Sequence, residues 1–233
     1  MINKNNLEIL IPTFNEEKNI LKTIEELKCE GFINVTILDA QSTDSTVEFS
    51  KNAGCKVIID VEKKMGFGSS CINGINQSTK EFICIFDGDN SFDPKSIHQM
   101  INMINLGYDF VFASRYLNKG KSEDDTIVTK FGNFFFTILV RILFNFNTTD
   151  VLFQFTLGKA DLYRNLKLVS KDFRICTEFL IKAYSKYRCC EVLSIERKRI
   201  YGVSKVNKLI DGFKILINIL YYFIIFRFLR KKL

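Results

Sequence analysis

The sequence predicts an α/β fold, a mostly parallel sheet covered by helices on both faces. Three observations point there. Short apolar runs of strand length recur at residues 7–11, 35–38, 57–59, 82–86 and 110–113. Helical spacings lie between them, and alternation of this kind builds parallel sheets. Each run is flanked by a polar, turn-forming segment, and such sheets bind ligands beyond the carboxyl ends of their strands.

In chain order, the run at 7–11 enters Pro12-Thr13-Phe14-Asn15-Glu16-Glu17, and Ile20, Ile24 and Leu27 then mark the buried stripe of a helix. The run at 35–38 enters Asp39-Ala40-Gln41-Ser42-Thr43-Asp44-Ser45-Thr46. After the run at 57–59 comes Glu62-Lys63-Lys64-Met65-Gly66-Phe67-Gly68. The run at 82–86 ends in Asp87-Gly88-Asp89-Asn90-Ser91-Phe92. Asp93 as N-cap, Pro94 in the first turn, apolar Ile97, Ile101 and Ile104, and Gly107 as stop predict the next helix. The fifth run ends in Ser114-Arg115-Tyr116. The second half is different, with aromatic-rich apolar stretches at 134–146 and 213–229, the latter followed by Arg230-Lys231-Lys232. At 1.5 Å per residue the latter spans roughly 25 Å, short of the ~30 Å hydrocarbon core. A helix lying in a membrane interface is therefore favoured over a tilted span or an ordinary core helix.

The 233 residues, 47% hydrophobic and 25% charged, suit one globular domain and exclude a disordered chain. The N-terminus has no apolar signal-peptide core, and seven scattered cysteines without a C-x-x-C pair read as reduced thiols of a cytosolic compartment. The adjacent Cys189-Cys190 reads as strand filler. Charge divides unevenly: residues 1–116 carry a net −5 and residues 117–233 a net +12, together the +7 of the chain. The second half should meet something anionic, whether nucleic acid, acidic lipid or a phosphorylated substrate.

Asp87-Gly88-Asp89 is the most informative triplet. In an extended segment residues i and i+2 face the same way, so both carboxylates can address one cation. Mg²⁺ or Mn²⁺ would suit these oxygen ligands and bridge them to substrate phosphates. Gly88 leaves room where a diphosphate would approach. A calcium loop fails, because its sixth position is Phe92 instead of Gly and its twelfth is His98 instead of Glu. Lys64 and Gly66, ahead of a helix, offer charge and backbone amides to an anion. Asp39 at a strand end is placed to accept bonds from base or ribose, and Arg115 to bind a phosphate.

Taken in this order, the segments resemble the family 2 glycosyltransferases of GT-A fold, in particular the dolichol-phosphate mannosyltransferase and polyprenyl-phosphate glycosyltransferase branch. Pro12-Thr13-Phe14-Asn15-Glu16 is similar to the opening P-T-Y/F-N-E, and Asp87-Gly88-Asp89 to the D-A-D metal motif. The segment from Glu62 to Gly68 resembles E-K-K-x-G-x-G, and Ser114-Arg115-Tyr116 resembles S/T-R-Y. Tyr201-Gly202-Val203-Ser204-Lys205 and Asp211-Gly212-Phe213-Lys214 resemble the closing G-E-S-K and D-G-x-K. Three departures stand out. The second-strand motif D-D-G-S-T-D-G-T loses its second Asp and both Gly here. Ser91 stands where some members carry a metal-facing Gln. The S-G-F-R/K segment is Phe153-Gln154-Phe155-Thr156, without its cation.

The resemblance implies a nucleotide-sugar donor held by Pro12, Thr13, Asn15, Glu16 and Asp39, with a divalent ion on Asp87 and Asp89. Arg115, Ser204 and Lys205 would then face phosphate groups. It implies a catalytic domain over 1–206, with a nucleotide-binding half (1–116) and an acceptor half (117–206), then a membrane-associated helix over 207–233. The expected reaction is inverting transfer of a sugar to a polyprenyl phosphate at the cytoplasmic membrane face. The acceptor is already an anionic nucleophile, so no protein base is needed. Transfer to a glycan hydroxyl would need one, for which Glu178 is the candidate. A non-catalytic nucleotide-sugar binder is a third reading, opposed by the intact aspartate pair. Nucleic-acid binding is not expected, because the motifs sit in the acidic half.

Overall fold

A computed structural model describes residues 1–61, 66–120, 122–202 and 207–228. Its core is a seven-stranded sheet, β1 (Leu7–Thr13), β2 (Val35–Asp39), β3 (Lys56–Ile59), β4 (Phe82–Ile85), β5 (Phe110–Ser114), β6 (Thr156–Lys159) and β7 (Cys189–Leu193). They lie in the order β3-β2-β1-β4-β6-β5-β7. The five expected strands are present, and all pairings are parallel except those of β6, which runs antiparallel between β4 and β5. β6 was not anticipated. Its sequence, Thr-Leu-Gly-Lys, carries one large apolar residue, and the strand is defined by the gap it fills. A side chain at Gly158 would collide with the Phe110 ring, its Cβ falling 2.3 Å from Cδ1, so glycine is what lets β6 close on β5. Because β6 belongs to the second half, the halves divided at residue 116 share one sheet.

Alternation along β1 divides the core. Ile9 and Ile11 face α1 (Ile20–Cys29) and α4 (Ser96–Asn105), whereas Leu10 faces α3 (Phe67–Gln77) and α7 (Ile175–Lys186). Ile20, Ile24 and Leu27 are buried as their spacing predicts, and a fully buried Leu or Ile contributes about 1.5–3 kcal/mol. The cap of α4 differs from expectation. The helix begins at Ser96 with Lys95 as N-cap, while Asp93 accepts a hydrogen bond from the Lys95 amide in the preceding turn. Gly107, at φ +92°, does end the turn after it.

The two apolar stretches form α5 (Ile127–Phe144) and α8 (Lys208–Phe228). α5 starts seven residues before its aromatic run, because Thr126 and Thr129 form a reciprocal capping box. α8 has 21 residues, about 30 Å, so the shortfall inferred from residues 213–229 does not hold. Both helices are long and apolar enough to cross a bilayer by length and composition alone. Each is nevertheless docked on the domain by one face, α5 through Phe136, Val140 and Phe144, α8 through Ile215, Ile219 and Tyr222. The Asn218 amide of α8 donates to the Arg174 carbonyl and the Thr177 hydroxyl. Their outer faces carry exposed Ile127, Phe131, Phe134, Leu209, Phe213 and Ile217.

Candidate active site

The loops leaving β1 and β2 are fastened to each other at the carboxyl edge of the sheet. Thr13 and Asp39 are register partners, and both are buried. Asn15, held at φ 55° in the left-handed region that Asn tolerates, donates its amide to Ser42 Oγ and accepts from the Thr43 amide at 2.8 Å. The Glu16 amide donates to Thr46 Oγ1 and the Glu17 amide to Asp44. Asp39 spends its carboxylate inside this clasp, accepting from the Ser42 amide at 2.8 Å and the Ser42 hydroxyl at 2.5 Å. It shapes the loop.

Asp87, Gly88 and Asp89 follow β4, one strand across from β1. They form a bend beyond the strand, not an extended segment, and Asp89 is buried (2% exposed). Asp89 Oδ1 accepts the Ser91 amide, which turns the loop back on itself. Gly88 is required by packing: a Cβ there would sit 2.9 Å from Thr13 Cγ2 and 3.2 Å from Ile11 Cγ2. Its missing side chain makes room for β1. Burial, then the Asp89 charge, push the Asp87 carboxyl well above its ordinary range, Glu16 adds to the rise, and Arg199 opposes it. Arg199 was not foreseen. Its Nη2 lies 2.5 Å from Asp89 Oδ2, and its amide donates to Asp124 at 3.3 Å. The only sequence signal was the basic run Arg197-Lys198-Arg199 just before the Tyr201-Gly202 motif.

Three other expectations are corrected. Arg115 is not an open phosphate ligand. Its Nε and Nη2 grip Asp150 at 2.7 and 3.0 Å, Nη1 reaches Glu196 at 3.0 Å, and its plane lies 4.8 Å from the Phe153 ring centroid. Burial alone would lower its pKa, but Asp150 and Glu196 raise it further. Glu178 is not a poised base. Fully buried in α7, it accepts the amides of Val169 (2.9 Å) and Ser170 (2.7 Å) and the Lys182 ammonium (2.7 Å). Burial raises its pKa, but the hydrogen bonds from Lys182 and Ser170 prevail and hold it below the usual value. Gly66 and Gly68 do not open an anion cradle. A Cβ at either would meet the carbonyl of Lys171 or Ser170 at 2.5 or 2.2 Å, and the Ser69 amide already donates to Lys171. Lys64, Ser204 and Lys205 lie outside the described residues.

Residues 8–167 match the sequence profile of Glycosyl transferase family 2. This chain is a family 2 glycosyltransferase. Over 94% of its length it is 29% identical to an uncharacterized protein of Methanocaldococcus jannaschii, covering 93% of that protein. It is 25% identical, over 91% of the chain and 94% of the relative, to a UDP-N-acetylglucosamine–dolichyl-phosphate N-acetylglucosaminyltransferase of Methanococcus voltae. Among solved structures it superposes on glucosyl-3-phosphoglycerate synthase of Mycobacterium tuberculosis, solved with Mn²⁺, UDP-glucose and phosphoglyceric acid. The TM-score is 0.74 at 14% identity, covering 93% of this chain and 79% of that one. That likeness establishes the GT-A fold. The family 2 glycosyltransferase thus has a nucleotide-sugar transfer scaffold with its aspartate pair at the expected strand end.

The aspartate pair fits a hard divalent ion. The buried Asp89 carboxylate and the partly buried Asp87 carboxylate repel each other there, and Asp89 Oδ2 has no hydrogen-bond partner among the described residues. No cluster of three or more His, Cys, Asp or Glu side chains forms a closed metal cage among the described residues. Open two-carboxylate sites are what Mg²⁺ uses when substrate phosphates supply further oxygens.

Proposed function

We propose that this glycosyltransferase holds Mg²⁺ or Mn²⁺ on Asp87 and Asp89 against a nucleotide sugar and passes the sugar to a polyprenyl phosphate at a membrane surface. The ion would stabilise the charge gained by the departing diphosphate. The loops of Thr13–Glu16 and Asp39–Thr46 form the wall on which the nucleotide rests, and uridine diphosphate sugars are the first donors to try. An acceptor phosphate oxygen attacks without a general base, which agrees with Glu178 being occupied by its own partners.

One observation carries the membrane part of this reading. The apolar helices start beside the aspartates: Arg199 contacts Asp89 and Asp124, Asp124 lies just ahead of α5, and Lys208 at the head of α8 donates to Thr126. Their outer faces join exposed aromatic and aliphatic side chains to the exposed cations Lys130, Arg141, Lys208 and Arg227. Apolar area with basic residues alone suits an anionic bilayer surface, and a lipid phosphate held there would be close to the donor.

The test supplies purified enzyme with Mn²⁺, UDP- or GDP-sugars, and either polyprenyl phosphate in liposomes or a soluble glycan. A lipid-linked sugar is the expected product. Sugar appearing only on the glycan would overturn the acceptor assignment.

A further inference from the structure

Among the described residues Arg115 and Arg199 both neutralise buried carboxylates, and they do so in different ways. Arg115 shows what a permanent pair looks like here, with two aligned hydrogen bonds to Asp150 and a third to Glu196. Arg199 approaches Asp89 to 2.5 Å, but the contact is one of charge without an aligned hydrogen bond. Among the described residues Arg199 Nε and Asp89 Oδ2 are both buried and both lack a hydrogen-bond partner. A carboxylate oxygen and a guanidinium nitrogen kept dry and unsatisfied in this way cost free energy that an aligned pair would recover. The pair is therefore built to hold charge and to let go.

The oxygen concerned is the one a divalent ion would use. A cation within coordination distance of Asp89 Oδ2 would stand against the Arg199 guanidinium, and two like charges that close repel strongly in a dry site. We infer that Arg199 is an exchangeable internal counter-ion of the aspartate pair, which occupies Asp89 in the absence of a divalent ion and is expelled from it when one binds. The inference rests on the metal reading of Asp87 and Asp89 given above. The surrounding contacts say where the movement would be confined. Arg197, two residues earlier, is pinned by its amide to the Ser91 carbonyl and by Nη2 to Glu26 and the Phe92 carbonyl, each at 2.7–2.8 Å. The Arg199 backbone is held by one long bond to Asp124, and the next hold on the chain is the Tyr201 carbonyl, which accepts from the Asn19 side-chain amide at 3.2 Å. Loading the ion would thus free Arg199 and Ile200 between the anchors at Arg197 and Tyr201, confining the movement to the short span beside the site.

The experiment compares wild type with Arg199→Gln by thermal unfolding across a Mn²⁺ titration, with Mn²⁺ affinity read from the electron-paramagnetic-resonance signal of the free ion. Without metal the variant should unfold at a lower temperature, because Asp87 and Asp89 lose their counter-charge. At saturating Mn²⁺ the two proteins should unfold at the same temperature, and the variant should bind Mn²⁺ about tenfold more tightly, the loss of one charge-assisted contact as competitor. Tighter binding alone would follow from deleting any nearby positive charge, so convergence of the unfolding temperatures is the deciding readout. A deficit of equal size with and without Mn²⁺ would make Arg199 a fixed structural partner and overturn the inference, leaving the metal reading intact. Failure of both proteins to bind Mn²⁺ would overturn the metal reading and the inference with it. Should Arg199→Gln not fold, the wild type decides the matter through its arginine Nε–H exchange with water. Diamagnetic Mg²⁺ should speed exchange at Arg199 and leave Arg115 unchanged, and equal protection of both would again overturn the inference.

Discussion

Replacing Glu178 by Gln should unfold this enzyme more readily without the kinetic signature of a lost base. The carboxylate accepts from two backbone amides and a lysine. A glutamine must turn its NH₂ towards the Val169 and Lys182 donors or the Ser170 amide, so donor meets donor in either orientation. Lys182, which is buried, loses its counter-charge and keeps the Lys167 carbonyl and the face of the Tyr222 ring. Removing one member of a buried ion pair costs about 3–5 kcal/mol. For a chain of this size that is roughly 6–20 °C in melting temperature. The pH dependence has a definite sign. The folded pKa of Glu178 lies below its ordinary 4.5, so its stabilisation is complete above about pH 4.5 and is lost as pH falls through the folded value. The gap between wild type and variant should therefore narrow on acidification below that point. Melting followed by circular dichroism from pH 7 downwards tests this, with turnover measured at a temperature where both proteins are folded. An unchanged melting temperature together with a loss of ~10²–10⁴-fold in transfer would refute this assignment and restore Glu178 as a base.

Asp89→Asn should lose metal-dependent donor turnover while its far-ultraviolet circular dichroism stays native; near-normal turnover with unaltered metal dependence would remove Asp89 from the site. Arg115→Ala should destabilise by about 3–5 kcal/mol, because Asp150 and Glu196 are left charged and unpaired. Arg115→Lys should recover only part of this, since lysine cannot grip a carboxylate with two parallel donors; chemical denaturation reads both. Phe131→Asp with Phe213→Asp should weaken sedimentation with anionic liposomes and leave the melting temperature unchanged, as these rings are 69% and 64% exposed. Undiminished liposome binding would turn the outer face of α5 and α8 away from lipid.

The readable parts of the chain were those governed by neighbours in sequence. The strands β1 to β5 coincide with apolar runs, and α1 with a 3.6-residue stripe, because burial of one face is a local pattern. The aspartate pair after β4 could be placed for the same reason. The roles of Arg115 and Glu178 could not. What decides them is Asp150, 35 residues from Arg115, and Glu196, 81 residues away, together with a loop that folds over Glu178. The early start of α5 was missed because a threonine at the third helical position did what a glutamate usually does in a capping box. Gly66, Gly68 and Gly88 look like ligand-facing glycines in one dimension. In three they make room for the Lys171 and Ser170 carbonyls and for side chains of β1, contacts that no local pattern announces.

The place of β6 in the sheet has a consequence for the ribosome. β4 is complete at residue 85, but the strand that pairs with its free edge ends only at residue 159. At ~5–20 residues per second, about 4–15 s of translation separate the two. During that interval β4, already flanked by β1, presents unpaired amides and carbonyls between Phe82 and Ile85, and β5 waits for the same partner. An open, apolar sheet edge is a template for pairing with other chains. Nascent chains halted before residue 156 should therefore bind chaperones and aggregate, and chains that have released β6 from the exit tunnel should not.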